Sequence, residues 1–251
     1  MSPLQWVALA IVMWIALVSL AYFVILPWLT SGPSTHPFVG LCWRFLKIYT
    51  RVIHRLEVTG LELVPQSKRP GPLVVVCNHT GSVDPLLVSR HCPFMIRWMM
   101  GDDLMWSRMA PLWEMLEVIP VDRTGVQPGA LKTALRTLRS KGVVGIFPEG
   151  RITLPRGEIR PFFGGVGGMI ARGKADTLLV WIEGTAETDQ ILPSLFGRCH
   201  ATVHFLDYIP YDSEQDSGAI TEQLRSKLIA ASGWKAHDEA LPLILPEDGP
   251  F

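Results

Sequence analysis

Three short stretches of this chain place reactive side chains in tight turns. The first is Asn78-His79-Thr80-Gly81-Ser82-Val83-Asp84-Pro85. An aspartate five residues after a histidine can fold back and hold the imidazole Nδ1–H, leaving Nε2 as a base for a hydroxyl. That is the His–Asp half of a triad, with a substrate hydroxyl in place of an enzyme serine. With seven histidines in the chain the spacing alone is a weak signal. Its position directly after the apolar run Leu73–Cys77 raises it, because reactive groups of α/β sheets collect where strands end. The second stretch, Phe147-Pro148-Glu149-Gly150-Arg151-Ile152-Thr153, follows another apolar run. It offers a carboxylate and a guanidinium at one sheet edge, suited to a hydroxyl and a phosphate. A surface turn carrying a structural ion pair is the plainer reading of that stretch. The third, Ile119-Pro120-Val121-Asp122-Arg123-Thr124-Gly125, sets Arg123 just past a strand, with Gly125 permitting close approach.

The elements that must position these turns follow from the apolar pattern. LVVVC (Leu73–Cys77), MIRWMM (Met95–Met100), VIPV (Val118–Val121), VVGIF (Val143–Phe147), LLVWI (Leu178–Ile182) and ATVHF (Ala201–Phe205) are buried-strand candidates. Between them lie helical stretches: one from Pro85 to Arg90 with Asp84 in cap position, one from Pro128 to Ser140, and one near Ile220–Ala231. Strands alternating with helices predict an α/β domain, a mixed and mostly parallel sheet flanked by helices. An irregular, proline-containing tail closes the chain.

The N-terminus is of another kind. Leu4–Leu29 carries no charged side chain and exceeds the roughly 20 residues that cross a hydrocarbon core. Trp6 and Trp28 stand near its ends, where interfacial indoles are expected. A cleaved signal fits poorly, since no Lys or Arg precedes the run. A buried helix of a soluble core and a re-entrant hairpin bent at Pro27 are alternatives. A second helix is expected from His36 to Arg55, with Arg44, Lys47, Arg51 and Arg55 on one face and Leu41, Phe45, Ile48 and Val52 on an apolar side. A basic amphipathic helix beside an apolar run reads as attachment to an anionic lipid surface. Because the early positive charge all follows the apolar run, the remainder is expected at the cell membrane facing the cytoplasm. Residues 1–56 thus form a membrane-associated helical segment, and residues 57–251 a catalytic domain.

Composition removes other classes. Formal net charge is zero, so no bulk electrostatic field argues for nucleic acid. The cysteines Cys42, Cys77, Cys92 and Cys199 form no C-x-x-C pair, and neither a disulfide framework nor a metal site is expected. Gly164-Gly165-Val166-Gly167-Gly168 lacks the nucleotide-binding fingerprints and is read as small residues packing a helix closely against the sheet. Trp98, Trp106 and Trp113, with Met99, Met100, Met105 and Met109, are core packing by default or an acyl-chain groove on the sharper reading.

Taken in order, NHTGSVDP, IPVDRTG and FPEGRIT resemble the signature blocks of the glycerolipid acyltransferases, the bacterial lysophosphatidic acid acyltransferase family. The resemblance runs from about Asn78 to Gly184, where LLVWIEG stands in place of a fourth block. FPEGRIT is similar to the third block of 2-acylglycerophosphoethanolamine acyltransferases. The resemblance implies that His79 is the general base and Asp84 its orienting partner. It implies that Arg123, Glu149 and Gly150 contact the glycerol-phosphate portion of the acceptor, with Arg151 beside them. Two departures are present: Arg151 arrives one residue earlier than the usual arginine, with Ile152 in that place, and Leu179 replaces the usual proline of the fourth block. The implied reaction moves a fatty acyl group from acyl-CoA or acyl-ACP to a lysophospholipid hydroxyl, without cofactor, metal or acyl-enzyme. The competing reading is a membrane-anchored serine hydrolase or thioesterase using Ser82, His79 and Asp84, for which no G-x-S-x-G elbow is present.

Overall fold

The structure is a computed structural model that describes residues 2–123, 128–154 and 156–239. Thr124, Gly125 and the C-terminal tail from Ala240 lie outside the described residues. The chain forms two compact units, Met1–Phe45 and Leu46–Phe251.

The first unit opens with α1 (Pro3–Leu20), a π-helical turn (Ala21–Ile25) and α2 (Leu26–Thr30), one continuous 28-residue apolar helix. Its start is built by a capping box: Ser2 Oγ accepts the Gln5 amide and Gln5 Oε1 accepts the Ser2 amide. No residue of this helix is buried. The hairpin bend allowed for at Pro27 does not occur. A proline ring inside a helix clashes with the carbonyl four residues back, and the widened π turn just before Pro27 accommodates it without a reversal. After a bend, α3 (Pro37–Val52) begins. Gly40 permits its approach to α2: a Cβ there would come within 1.6 Å of the Leu29 carbonyl oxygen. Arg44, expected on a lipid-facing basic stripe, instead donates to the Trp28 carbonyl at 2.5 Å and to Ser31 Oγ at 2.7 Å, with its guanidinium over the Trp28 ring. The apolar residues Phe38, Leu41 and Phe45 remain exposed.

The second unit is a sheet with helices on both faces. In chain order it contains β1 (Glu57–Thr59), β2 (Leu73–Cys77), α4 (Asp84–Ser89), β3 (Arg97–Gly101), α5 (Ala110–Met115), β4 (Ile119–Val121), α6 (Pro128–Arg139) and β5 (Val143–Ile146). There follow β6 (Glu158–Ile159), α7 (Gly165–Gly173), β7 (Asp176–Glu183), α8 (Ile191–Phe196), β8 (Thr202–Ile209), α9 (Ser217–Ser232) and β9 (Lys235–Ala236). Seven strands align in the order β1-β8-β7-β2-β5-β3-β4, while β6 and β9 pair separately. Every pairing in the large sheet is parallel except β7 with β8. The sheet is therefore mixed and mostly parallel, as the alternation of runs predicts.

β2 lies at its centre, between β5 and β7, with all five residues at 0% exposure. A strand covered on both faces needs apolar side chains at every position, which explains the unbroken run. The period of two then sorts them. Leu73, Val75 and Cys77 join Val83, Leu87 and Phe94 on one face. Val74 and Val76 meet Leu138, Val166, Met169 and Leu224 on the other. Of the glycines near residue 165 only Gly167 makes a close approach, and it packs α7 against α9 rather than against the sheet. A Cβ there would lie 1.9 Å from the Ser217 carbonyl oxygen, whereas Gly164, Gly165 and Gly168 face open space. Leu179, in place of a proline, is buried within β7, at the point where the register against β8 shifts between Leu179 and Val180. Of the Trp- and Met-rich stretch, Trp98 belongs to the core and Met99 packs against it, whereas Trp106 is 40% exposed.

Candidate active site

The site grows from the carboxyl end of β2. Asn78, 1% exposed, extends the β2–β7 pairing with its side chain: Oδ1 accepts the Ile182 amide at 2.7 Å and Nδ2 donates to the Ile182 carbonyl at 2.8 Å. His79 follows, and the chain turns tightly into α4. Pro85 within the first turn supplies a backbone preset for helix. Asp84 is the first helical residue, and Val83, not Asp84, occupies the cap position. The Asp84 carboxylate serves the preceding loop instead. Its Oδ2 accepts the Thr80 amide at 2.6 Å, the Gly81 amide at 2.9 Å and His79 Nδ1 at 2.9 Å, and Oδ1 accepts the Thr80 hydroxyl at 3.1 Å.

These bonds settle the chemistry of the ring. Asp84 is wholly buried and can only accept when ionised, so Nδ1 carries the proton and Nε2 presents a lone pair. The His79 side chain is 19% exposed, and Nε2 makes no hydrogen bond among the described residues. Its ring is stacked on Phe147, with centroids 4.1 Å apart.

Further bonds hold the loop from every side. The Val83 amide donates to Ser194 Oγ at 3.2 Å, and Gly81 leaves no room for a side chain, since a Cβ would lie 2.8 Å from that oxygen. The Thr185 hydroxyl donates to Thr80 Oγ1 at 3.0 Å. Arg156 binds the loop to the chain after β7, donating to the carbonyls of Thr80, Thr185 and Ala186 at 3.1, 2.7 and 2.7 Å. Nothing local in the sequence marks Arg156, whose partners lie 29 to 76 positions away. Ser82 makes no hydrogen bond to His79 among the described residues, so the serine nucleophile of the hydrolase reading is not aligned with its base.

Glu149 is 3% exposed and points inward. Oε1 accepts the His79 amide at 3.4 Å, while Oε2 accepts the Thr153 hydroxyl at 3.0 Å and the Arg160 amide at 3.4 Å. Burial pushes its carboxyl above the ordinary range, against the downward pull of those bonds. The structure therefore brings His79, Asp84 and Glu149 into one bonded cluster. Gly150 adopts a left-handed backbone (φ 79°) over the Phe163 ring, and a Cβ would come within 2.4 Å of that ring.

Arg123 and Arg151 are not bonded into this cluster. Arg123 leaves the end of β4 and forms a bidentate pair with Asp103, just beyond β3, with Nε donating at 3.0 Å and a second N–H bond beside it. Gly101 makes way for it, since a Cβ there would lie 2.5 Å from Arg123 Nε. Asp103 and Gly101 stand outside the motif blocks. Arg151 is half-exposed and forms no hydrogen bond or ion pair among the described residues. No group of three or more His, Cys, Asp or Glu among the described residues is placed to hold a metal ion.

Comparison with known proteins bears on the family and the fold. The Acyltransferase family model matches residues 55–190. The 1-acyl-sn-glycerol-3-phosphate acyltransferase of Bacillus subtilis (strain 168) is 24% identical over 193 residues, covering 74% of this chain and 93% of that protein. The crystal structure of the 1-acyl-sn-glycerophosphate (LPA) acyltransferase PlsC from Thermotoga maritima shares the fold, with a TM-score of 0.61 at 17% identity, covering 78% of this chain and 79% of that one.

Proposed function

The chain belongs to the acyltransferase family, and from that premise we propose that it is a membrane-bound enzyme transferring a fatty acyl group from acyl-CoA or acyl-ACP to the free hydroxyl of a lysophospholipid, 1-acylglycerol-3-phosphate foremost. The observation that carries this reading is the His79–Asp84 pair, buried on the Asp side and open at Nε2. His79 takes the proton of the acceptor hydroxyl as the oxygen attacks the thioester carbonyl, and Asp84 stabilises the imidazolium that forms. The tetrahedral oxyanion collapses, the C–S bond breaks, and the carrier leaves as its thiol, taking the proton from His79. No acyl-enzyme is required, because the donor is already activated.

In this reading Arg123 and Arg151 meet the acceptor phosphate. Asp103 holds the Nε side of the Arg123 guanidinium, which leaves its outer edge for a second bidentate partner. Glu149 supports the site through the His79 amide. Residues 1–56 are assigned to anchoring and residues 57–251 to catalysis. A helix of 28 residues is about 42 Å long, more than the roughly 30 Å of a hydrocarbon core. With its side chains exposed, it suits a cell membrane with the catalytic unit on the cytoplasmic side.

The test is acyl transfer by purified protein in detergent micelles, with labelled acyl-CoA and acyl-ACP offered against a panel of lyso-lipids. A diacyl product that disappears in His79→Ala is expected. Release of free fatty acid without diacyl product would refute transfer and favour hydrolysis.

A further inference from the structure

We infer that Trp98, which stands in none of the motif blocks, is a positioning residue that acts through Phe147 to fix the plane of the His79 imidazole. The inference rests on the reading of His79 as the base. The three rings come from three adjacent strands in the order β2-β5-β3: His79 just past β2, Phe147 just past β5, and Trp98 within β3. Adjacent strands lie about 4.8 Å apart, so side chains at one height on one face fall at stacking distance. The His79 and Phe147 centroids are 4.1 Å apart with planes 16° from parallel, and those of Phe147 and Trp98 are 5.0 Å apart at 13°.

The far end of the stack is fixed. Trp98 is 8% exposed, and its indole N–H donates to Ser89 Oγ at 2.9 Å. Space for it comes from Gly145, its register partner on β5. A Cβ on Gly145 would lie 2.4 Å from Trp98 Cε3. Glycine weakens a strand interior, and here close approach of the indole accounts for it.

The Asp84 bond fixes one atom of the imidazole, but a ring torsion of this kind has a broad, shallow preference. A flat face alongside removes that rotation and keeps the Nε2 lone pair aimed at one point. Aim matters in proportion to how sharply transfer depends on near-attack geometry.

The test uses the full-length protein in detergent, measuring kcat and acceptor KM with thermal unfolding alongside. Trp98→Leu and Phe147→Leu are expected to lower kcat about tenfold or more with KM little changed. The aromatic replacements Trp98→Phe and Phe147→Tyr should retain kcat within about threefold. Ser89→Ala, which frees the indole but leaves the core packed, should lose about two- to threefold. Wild-type kcat in folded leucine variants would overturn the inference, as would a loss confined to KM or one equal in the leucine and aromatic variants. If the leucine variants fail to fold, an unchanged kcat in Ser89→Ala overturns it. His79→Ala separates the two readings. Transfer that survives in His79→Ala defeats the base assignment itself; an inactive His79→Ala beside normal ring variants defeats only the stack.

Discussion

The His79 loop and the Arg123 corner both lie just past the carboxyl ends of parallel strands, yet they are held in opposite ways. Asp84, at 0% exposure, is bound to two loop amides and a threonine hydroxyl as well as to His79. Arg123 is bound to one aspartate, with side chains 20% and 30% exposed. In the first case the partners are largely backbone, which cannot move without unfolding the turn. In the second the partner is another charged side chain, and part of the guanidinium stays open. A base must be aimed, whereas a phosphate contact needs charge and an accessible edge. With His79 as base and Arg123 as phosphate contact, as proposed above, the difference separates the readouts: damage to the loop belongs in kcat, damage to the corner in KM.

The sharpest way to break the comparison is Asp84→Asn. Asp84 Oδ2 alone accepts both loop amides and His79 Nδ1. An asparagine oxygen in that place removes the charge that steadies the imidazolium, whereas an NH2 there opposes both amides and favours the tautomer with the proton on Nε2. A histidine in that state is no base for the acceptor hydroxyl. Turnover should fall by about 10³- to 10⁴-fold with a smaller change in KM. A loss below about tenfold, measured on a folded variant, would mean that the pair only shapes the loop.

Arg123→Gln comes next. A charge-assisted bond to phosphate contributes about 1.5–3 kcal/mol, so acceptor KM should rise roughly 10- to 100-fold with kcat nearly kept. A neutral monoacylglycerol acceptor should show no such penalty. Asp103→Asn sharpens the point: it weakens the hold on the guanidinium without removing it, and KM should move less than in Arg123→Gln. Equal KM changes on neutral and phosphate-bearing acceptors would show that the corner is structural.

The same division explains what was legible in the sequence. β2 could be read to the residue, because a strand buried on both faces must be apolar throughout and Gly71-Pro72 and Asn78 punctuate it. The His79–Asp84 pairing was legible because both partners lie within one turn. Arg156, Ser194 and Thr185 were not, since each reaches the loop from more than 70 positions away. Local patterning does not encode such contacts. The sequence predicts Asp84 as a cap, yet an aspartate before a proline looks the same whether its carboxylate serves the helix ahead or, as here, the loop behind. For Arg44, helical spacing gives its face but not the Trp28 carbonyl to which it donates. The apolar run predicts a strand from Met95, but β3 begins only at Arg97, where the ladder with β5 starts.

A smaller effect than that at Asp84 or Arg123 is expected of Glu149→Gln, and it tests whether a buried carboxylate can act through the backbone. Gln keeps the shape but turns an NH2 toward a site in which the amides of His79 and Arg160 can only donate, while the Thr153 hydroxyl can rotate to accept. The NH2 must oppose one of the two amides. Where it opposes that of His79, kcat should fall about tenfold with KM nearly constant, and where it opposes that of Arg160, kcat should stay near wild type. Protonation gives a second handle. Burial raises the Glu149 carboxyl above its ordinary value of 4.5 in the folded chain, so the folded state keeps its proton to higher pH than the unfolded one. Its contribution to stability is therefore fully present below that ordinary value and declines as pH rises through the folded one. Glutamine has no such slope. The gap in Tm between wild type and Glu149→Gln should narrow as pH is raised from 4 to about 8. A gap that widens over that range would mean that the ionised form is the stabilised one, with the three donors outweighing burial.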